Sequence, residues 1–136
     1  MANKTLRILI AENRHPQSLL VERMLNRMGY YRVATAASLD EARLLGRCTG
    51  RPFDVLIGSA RLLNSERLDC TSLAGVYRNA LVYQSQYLPA DPAPLAAEGT
   101  VARLPGPLDA SSLGAFMALI DPQALHRRVH ESVLHS

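Results

Sequence analysis

The 136 residues suffice for one domain with a sizeable core, and 48% apolar against 20% charged residues excludes a disordered chain. Of the 15 basic residues all but Lys4 are arginines, and they are scattered, so the formal charge of +3 forms no stripe for a nucleic acid to follow. No apolar run could span a membrane, and Met-Ala-Asn-Lys-Thr is not expected to open a signal peptide.

Residues 6–11, Leu-Arg-Ile-Leu-Ile-Ala, read as a first strand that ends in Glu12-Asn13-Arg14-His15. Pro16 suits the first turn of a helix whose Leu20, Val21, Met24, Leu25 and Met28 recur at intervals of three and four. Gly29 should stop it, and residues 31–35 form a short second strand. Ser38-Leu-Asp-Glu41 is a capping box, opening a helix with Ala42, Leu45 and Cys48 on one side. The chain returns through residues 50–52 to the stretch Phe53-Asp-Val-Leu-Ile-Gly-Ser59, in which Val55, Leu56 and Ile57 are the short apolar run of a central strand fit for burial on both faces, closed by the glycine and serine. Residues 58–64 are expected as a loop above the sheet, with Gly58 and Ser59 in the crevice where such sheets bind ligands.

Residues 66–76 could hold a third helix, weakened by Asp69, Thr71, Ser72 and Gly75. Residues 80–83 are the fourth strand, ending at Gln84-Ser85. Prolines at 89, 92 and 94 leave room for at most a turn or two of helix before Gly99. Residues 101–104 make a brief fifth strand, after which Asp109 can cap a helix that buries Leu113, Phe116, Met117 and Ile120. Asp121-Pro122 interrupts that helix, and Leu125, Val129 and Val133 could line one side of a further short one. Cys48 and Cys70 lie 22 residues apart without paired spacing, which fits reduced, partly buried thiols better than a disulfide or zinc site. His126 and His130 are four apart, but no third ligand is spaced to join them.

Strands alternating with helices over short connections favour a three-layer α/β unit with right-handed crossovers. Three segments in order, Ile8-Leu-Ile-Ala-Glu-Asn13, Phe53-Asp-Val-Leu-Ile-Gly-Ser59 and Arg103-Leu-Pro-Gly-Pro107, resemble the receiver domains of bacterial response regulators over residues 6–120. The resemblance implies a doubly wound, flavodoxin-like sheet of five parallel strands in the order 2-1-3-4-5, and the prolines at 89, 92 and 94 shorten its fourth helix. The domain would take in residues 1–121, and residues 122–136 would be a tail, either a short helix or the start of a linker.

Receivers of this kind accept a phosphoryl group from a histidine kinase on an aspartate. That aspartate and an acidic pair hold magnesium, a hydroxyl residue senses the phosphoryl group, and a lysine contacts it. By position, the acidic pair becomes Glu12 and Asn13, the aspartate Ser59, the sensing hydroxyl Gln84 and the lysine Gly106. Only Glu12 remains acidic, although Pro107 survives beside the missing lysine. One glutamate beside a neutral amide is a poor magnesium site, serine cannot form an acyl phosphate, and glycine cannot neutralise one. Of the other polar groups, Asn13 could cap the first helix, Ser59 reads as a loop or cap hydroxyl, and Asp54 belongs at the opposite edge of the sheet. Glu12 and Arg14 could meet across the crevice or remain a solvated pair.

The expected function is therefore that of a pseudo-receiver: a phosphorylation-independent protein-interaction domain in bacterial two-component-type signalling or transcriptional control. It should be cytoplasmic and not an enzyme, with no cofactor, no magnesium, and no direct contact with nucleic acid or membrane. Its partner would be a signalling protein, an output domain or a second copy. The expected surface comprises Leu88, Pro89, Pro92, Pro94 and Leu95 with Arg103, on the side through which receivers signal. The alternatives are an atypical receiver that keeps phosphoacceptor or small-molecule sensing in the crevice, and the N-terminal regulatory domain of a DNA-binding regulator.

Overall fold

An apolar strand flanked on both edges by other strands must be covered on both faces, and helices between successive parallel strands supply the cover. The computed structural model, which describes residues 5–48, 50–64, 75–84 and 99–121, follows this rule. In chain order the elements are β1 (Ile8–Ala11), α1 (His15–Arg27), β2 (Val33–Ala36), α2 (Leu39–Cys48), β3 (Phe53–Ser59), α3 (Ala60–Asn64), β4 (Tyr77–Tyr83), β5 (Val101–Arg103) and α4 (Ala110–Ile120). The strands form one five-stranded sheet of order β2-β1-β3-β4-β5, with every neighbouring pair parallel. This is the doubly wound arrangement expected from the sequence.

Strand side chains alternate between faces. Ile8, Ile10, Val55, Ile57, Leu81 and Tyr83 meet Val21, Met24 and Leu25 of α1 and Leu113, Phe116 and Met117 of α4 in one core. Leu9, Ala11, Leu56 and Ala80 meet Leu39 and Ala42 of α2 and Leu62 of α3 in the other. Two side-chain caps fix helix starts. Ser38 Oγ accepts from the Glu41 amide at 3.1 Å, while Glu41 reaches back to the Ala37 amide rather than to that of Ser38. Asp109 and Ser112 form a reciprocal box at the start of α4. Gly29 ends α1 with φ of 99°, a conformation that a Cβ disfavours.

Several expectations are corrected. Leu20 is 49% exposed rather than part of the α1 stripe. It lies about 100° around the helix from Val21, outside the arc that holds Ser18, Met24 and Leu25. Cys48 is exposed at the end of α2, because α2 turns Leu39, Ala42 and Leu45 to the core and leaves its final residue beyond them. Residues 58–64 are not a loop. Gly58 and Ser59 extend β3, where they pair with Val82 and Tyr83 of β4, and Ala60–Asn64 is the helix α3. Asn13 does not cap α1, since the capping position is Arg14 and it makes no side-chain cap bond. A cap at 13 would seek amides two or three residues on, and Pro16 has none to give. Most of the weak third helix, the proline-rich stretch with its shortened fourth helix, Cys70, and the tail with His126 and His130 lie outside the described residues.

The lower edge of the sheet carries a polar belt. The Arg7 amide donates to Asp54 Oδ2 at 2.8 Å, Asn79 Nδ2 donates to the Asp54 carbonyl at 2.9 Å, and Asn79 Oδ1 accepts from the Thr100 amide at 2.9 Å. Asp54 thus has the structural place expected for it. Gly99 is required there, because a Cβ would collide with the Asn79 side chain. Across the fold, the Tyr30 hydroxyl donates to Asp121 Oδ2 at 2.5 Å, and both residues are buried. The bond ties the turn before β2 to the residue that closes α4. Replacing Tyr30 with phenylalanine withdraws a donor from a buried acid and should lower stability by about 1–3 kcal/mol, read from urea denaturation. An unchanged midpoint would show that this contact does not anchor α4.

Candidate functional site

Parallel strands deliver their C-terminal ends to one edge, and the register determines which residues meet there. Ala11 lies opposite Gly58 and Ser59 opposite Tyr83, so Glu12 comes level with Ser59 one step beyond the last paired residue of β1. On the far side the Gln84 amide donates to the Gly106 carbonyl at 3.1 Å. The structure therefore gathers Glu12, Ser59, Gln84 and Gly106 at this edge. Glu12 and Ser59 are buried, each with only 2% of its surface exposed. Gly106 is buried as well, Gln84 is half-buried, and Asn13 stands exposed at the rim. Gly58 lets the floor close, since a Cβ there would lie 3.1 Å from Leu63 Cδ1 and 3.4 Å from the Ala11 carbonyl oxygen.

The charge in this crevice is arranged around Glu12. Its carboxylate Oε1 accepts from Arg14 Nε at 2.8 Å, and its side chain is wholly buried while that of Arg14 is half exposed. The pair is thus a contact within the crevice, not a solvated one. Among the described residues, Glu12 Oε2 and the Tyr83 hydroxyl have no hydrogen-bond partner. Tyr83 completes the cluster from β4. Burial holds its phenol well above the usual tyrosine range, and the Glu12 carboxylate raises it further. Arg14 and the nearby Gln17 offset part of that rise, although Gln17 makes no hydrogen bond of ordinary geometry with the hydroxyl.

In sequence Tyr83 reads only as the last residue of the fourth strand. The signal that places it is its spacing of two from Leu81, which puts both on the α1 and α4 face. Gln17 has no comparable signal, since it lies on the first turn of α1 beside residues with no apolar period. Of the expected partner surface, Arg103 is half-buried in β5, while Leu88, Pro89, Pro92, Pro94 and Leu95 lie outside the described residues.

A hard divalent cation is held chiefly by carboxylates and water. The crevice offers one carboxylate, already joined to a guanidinium, beside an amide and a hydroxyl, and this donor set does not fit magnesium. Among the described residues no three His, Cys, Asp or Glu side chains are grouped to hold a metal, and no helix is long and apolar enough to cross a membrane.

No protein-family model matches the sequence, and no curated protein matches it. Solved structures do. The N-terminal domain of a three-domain response regulator/sensory box/GGDEF protein from Carboxydothermus hydrogenoformans superposes with a TM-score of 0.59 at 20% identity, over 95% of this chain and 99% of that one. The chain has the receiver fold. A response regulator from Burkholderia pseudomallei, crystallised with a phosphorylated aspartic acid, calcium and citrate, gives 0.58 at 19% identity, over 96% of this chain and 75% of that one. A putative pilus assembly-related protein from the same organism gives 0.56 at 20%, over 83% and 87%.

The raised phenols of Tyr83 and Tyr30 make a pH prediction. A group whose folded pKa exceeds its unfolded value contributes stability that is complete below the unfolded pKa, about 10 for tyrosine, and is lost as pH rises above it. The urea midpoint should therefore fall as pH climbs past that range, with phenolate absorbance lagging until the protein unfolds. Tyr83→Phe should flatten part of the fall. Full ionisation of every tyrosine in the folded protein would contradict the burial of these two.

Proposed function

We propose that this receiver-fold domain works by protein contact in bacterial two-component-type signalling, without taking up a phosphoryl group. One observation carries the reading: the C-terminal end of β3, where the fold's acceptor aspartate is expected, holds the buried Ser59. The carboxylate across from it is already committed to Arg14. Serine offers no carboxylate for an acyl phosphate, and the neighbouring Glu12 carboxylate, neutralised by Arg14, is a weak base to activate its hydroxyl. Gly106 supplies no positive charge to the position, and Gln84 has no hydroxyl with which to report a phosphoryl group. On this reading the domain is cytoplasmic and non-enzymatic, spans residues 1–121, and needs neither cofactor nor magnesium.

The partner is a signalling protein, an output domain or a second copy. In the Carboxydothermus protein the similar domain is the N-terminal one of three, which supports an output domain among these. The proposed surface is that of Leu88, Pro89, Pro92, Pro94, Leu95 and Arg103, where prolines lower the ordering cost of binding.

Titration with magnesium and beryllofluoride, an acyl-phosphate mimic, tests the reading by amide spectra. The amides of Asn13, Ser59 and Gln84 should not move in a saturable way, and acetyl phosphate should add no mass. Saturable shifts at these residues, or a phosphorylated product, would show that the crevice keeps receiver chemistry. Ser59→Ala should leave the fold and partner binding unchanged, as measured by the same spectra and by titration with the partner.

A further inference from the structure

We infer that Arg14 is the crevice's resident cation: its guanidinium neutralises Glu12 and keeps the carboxylate from divalent metals. The inference rests on the reading above, in which the site has no use for a metal, and adds how the buried charge left behind is managed.

A carboxylate removed from water loses several kcal/mol of solvation unless a charge or hydrogen bonds replace it. Glu12 is in that position, with its side chain wholly buried beside the apolar residues of β1 and β3. Among the described residues, Arg14 makes the only ion pair with it, at 2.8 Å, and uses Nε, so the rest of the guanidinium can extend to solvent. The half exposure of Arg14 agrees with this placement. Position also favours it. Arg14 is the residue before α1, with extended backbone at φ −93° and ψ 110°, and no side-chain cap bond claims it. Two residues on from Glu12, past the bend at Asn13, it brings its Nε within 2.8 Å of the carboxylate. Tyr83 approaches from β4 with a neutral hydroxyl near the carboxylate, and so adds no positive charge. Arginine suits the task better than lysine, because it is weakly hydrated and tolerates partial burial.

Arg14→Ala should therefore leave a buried, uncompensated carboxylate that small cations can reach. In thermal melts, methylguanidinium chloride should raise the midpoint of this variant by a few degrees more than equal sodium chloride does. It should have no such effect on the unaltered protein or on Arg14→Ala/Glu12→Gln. Manganese should broaden the amides of Asn13 and Ser59 in Arg14→Ala at concentrations about tenfold lower than in the unaltered protein, and Glu12→Gln should abolish the difference. Should Arg14→Ala fail to fold, the Arg14 Nε–H resonance of the unaltered protein decides: slow exchange with water supports the contact, and exchange at the solvent-averaged rate overturns it. Equal manganese broadening in the unaltered protein and a folded Arg14→Ala would also overturn it. Strong manganese binding by the unaltered protein together with phosphorylation by acetyl phosphate would instead overturn the proposed function.

Discussion

Pairing of β3 with β1 on one side and β4 on the other is the constraint from which the rest of this structure follows. Once three strands are parallel and adjacent, their C-terminal ends arrive at one edge, and the residues just past Ala11, Gly58 and Val82 must share it. Val55, Leu56 and Ile57 make the arrangement favourable by burying one strand on both faces, each large side chain contributing about 1.5–3 kcal/mol relative to exposure. Helices are then obligatory on both faces, and the two cores divide between α1 with α4 and α2 with α3.

That geometry fixes where polar groups meet but leaves their chemistry open. Receiver-fold proteins of about one-fifth identity share the backbone, and a shared backbone does not transmit an activity. Here the edge holds a glutamate, a serine, a tyrosine and an arginine. Electrostatics decides what such a set can do. A buried acid with one basic neighbour is neutralised locally and has little remaining attraction for a cation, and a serine beside it gains no activation. Gly58 lets the strands close below the crevice, and Tyr83 borders it from β4.

Long-range polar contacts hold the remaining elements where helix propensity alone would not. α4 carries no charged side chain, and its start depends on Asp109 and Ser112. Its end depends on Asp121, held by Tyr30 from 91 residues away. Asn79 does the same for the lower edge, joining β3, β4 and the approach to β5 through one amide group. The N-terminal edge of the sheet is thus fastened by side chains whose partners are distant in the chain, and the start of α4 by a local box.

The sequence by itself determined the alternation of strands and helices and the caps at Ser38 and Asp109, because each rests on local period or capping chemistry, while the sheet order and the gathering of Glu12, Ser59, Gln84 and Gly106 followed from the resemblance that its motifs carry. Tertiary structure decided the rest. The apolar spacing around α1 cannot tell Leu20 from Leu25, since only the direction of the sheet sets the edge of the buried arc. The extension of β3 through Ser59 depends on β4 offering Val82 and Tyr83 as partners, which Gly58 and Ser59 do not announce. Whether Glu12 and Arg14 touch depends on burial of the carboxylate. Two opposite charges two residues apart separate freely in water and pair when the fold removes one of them from solvent.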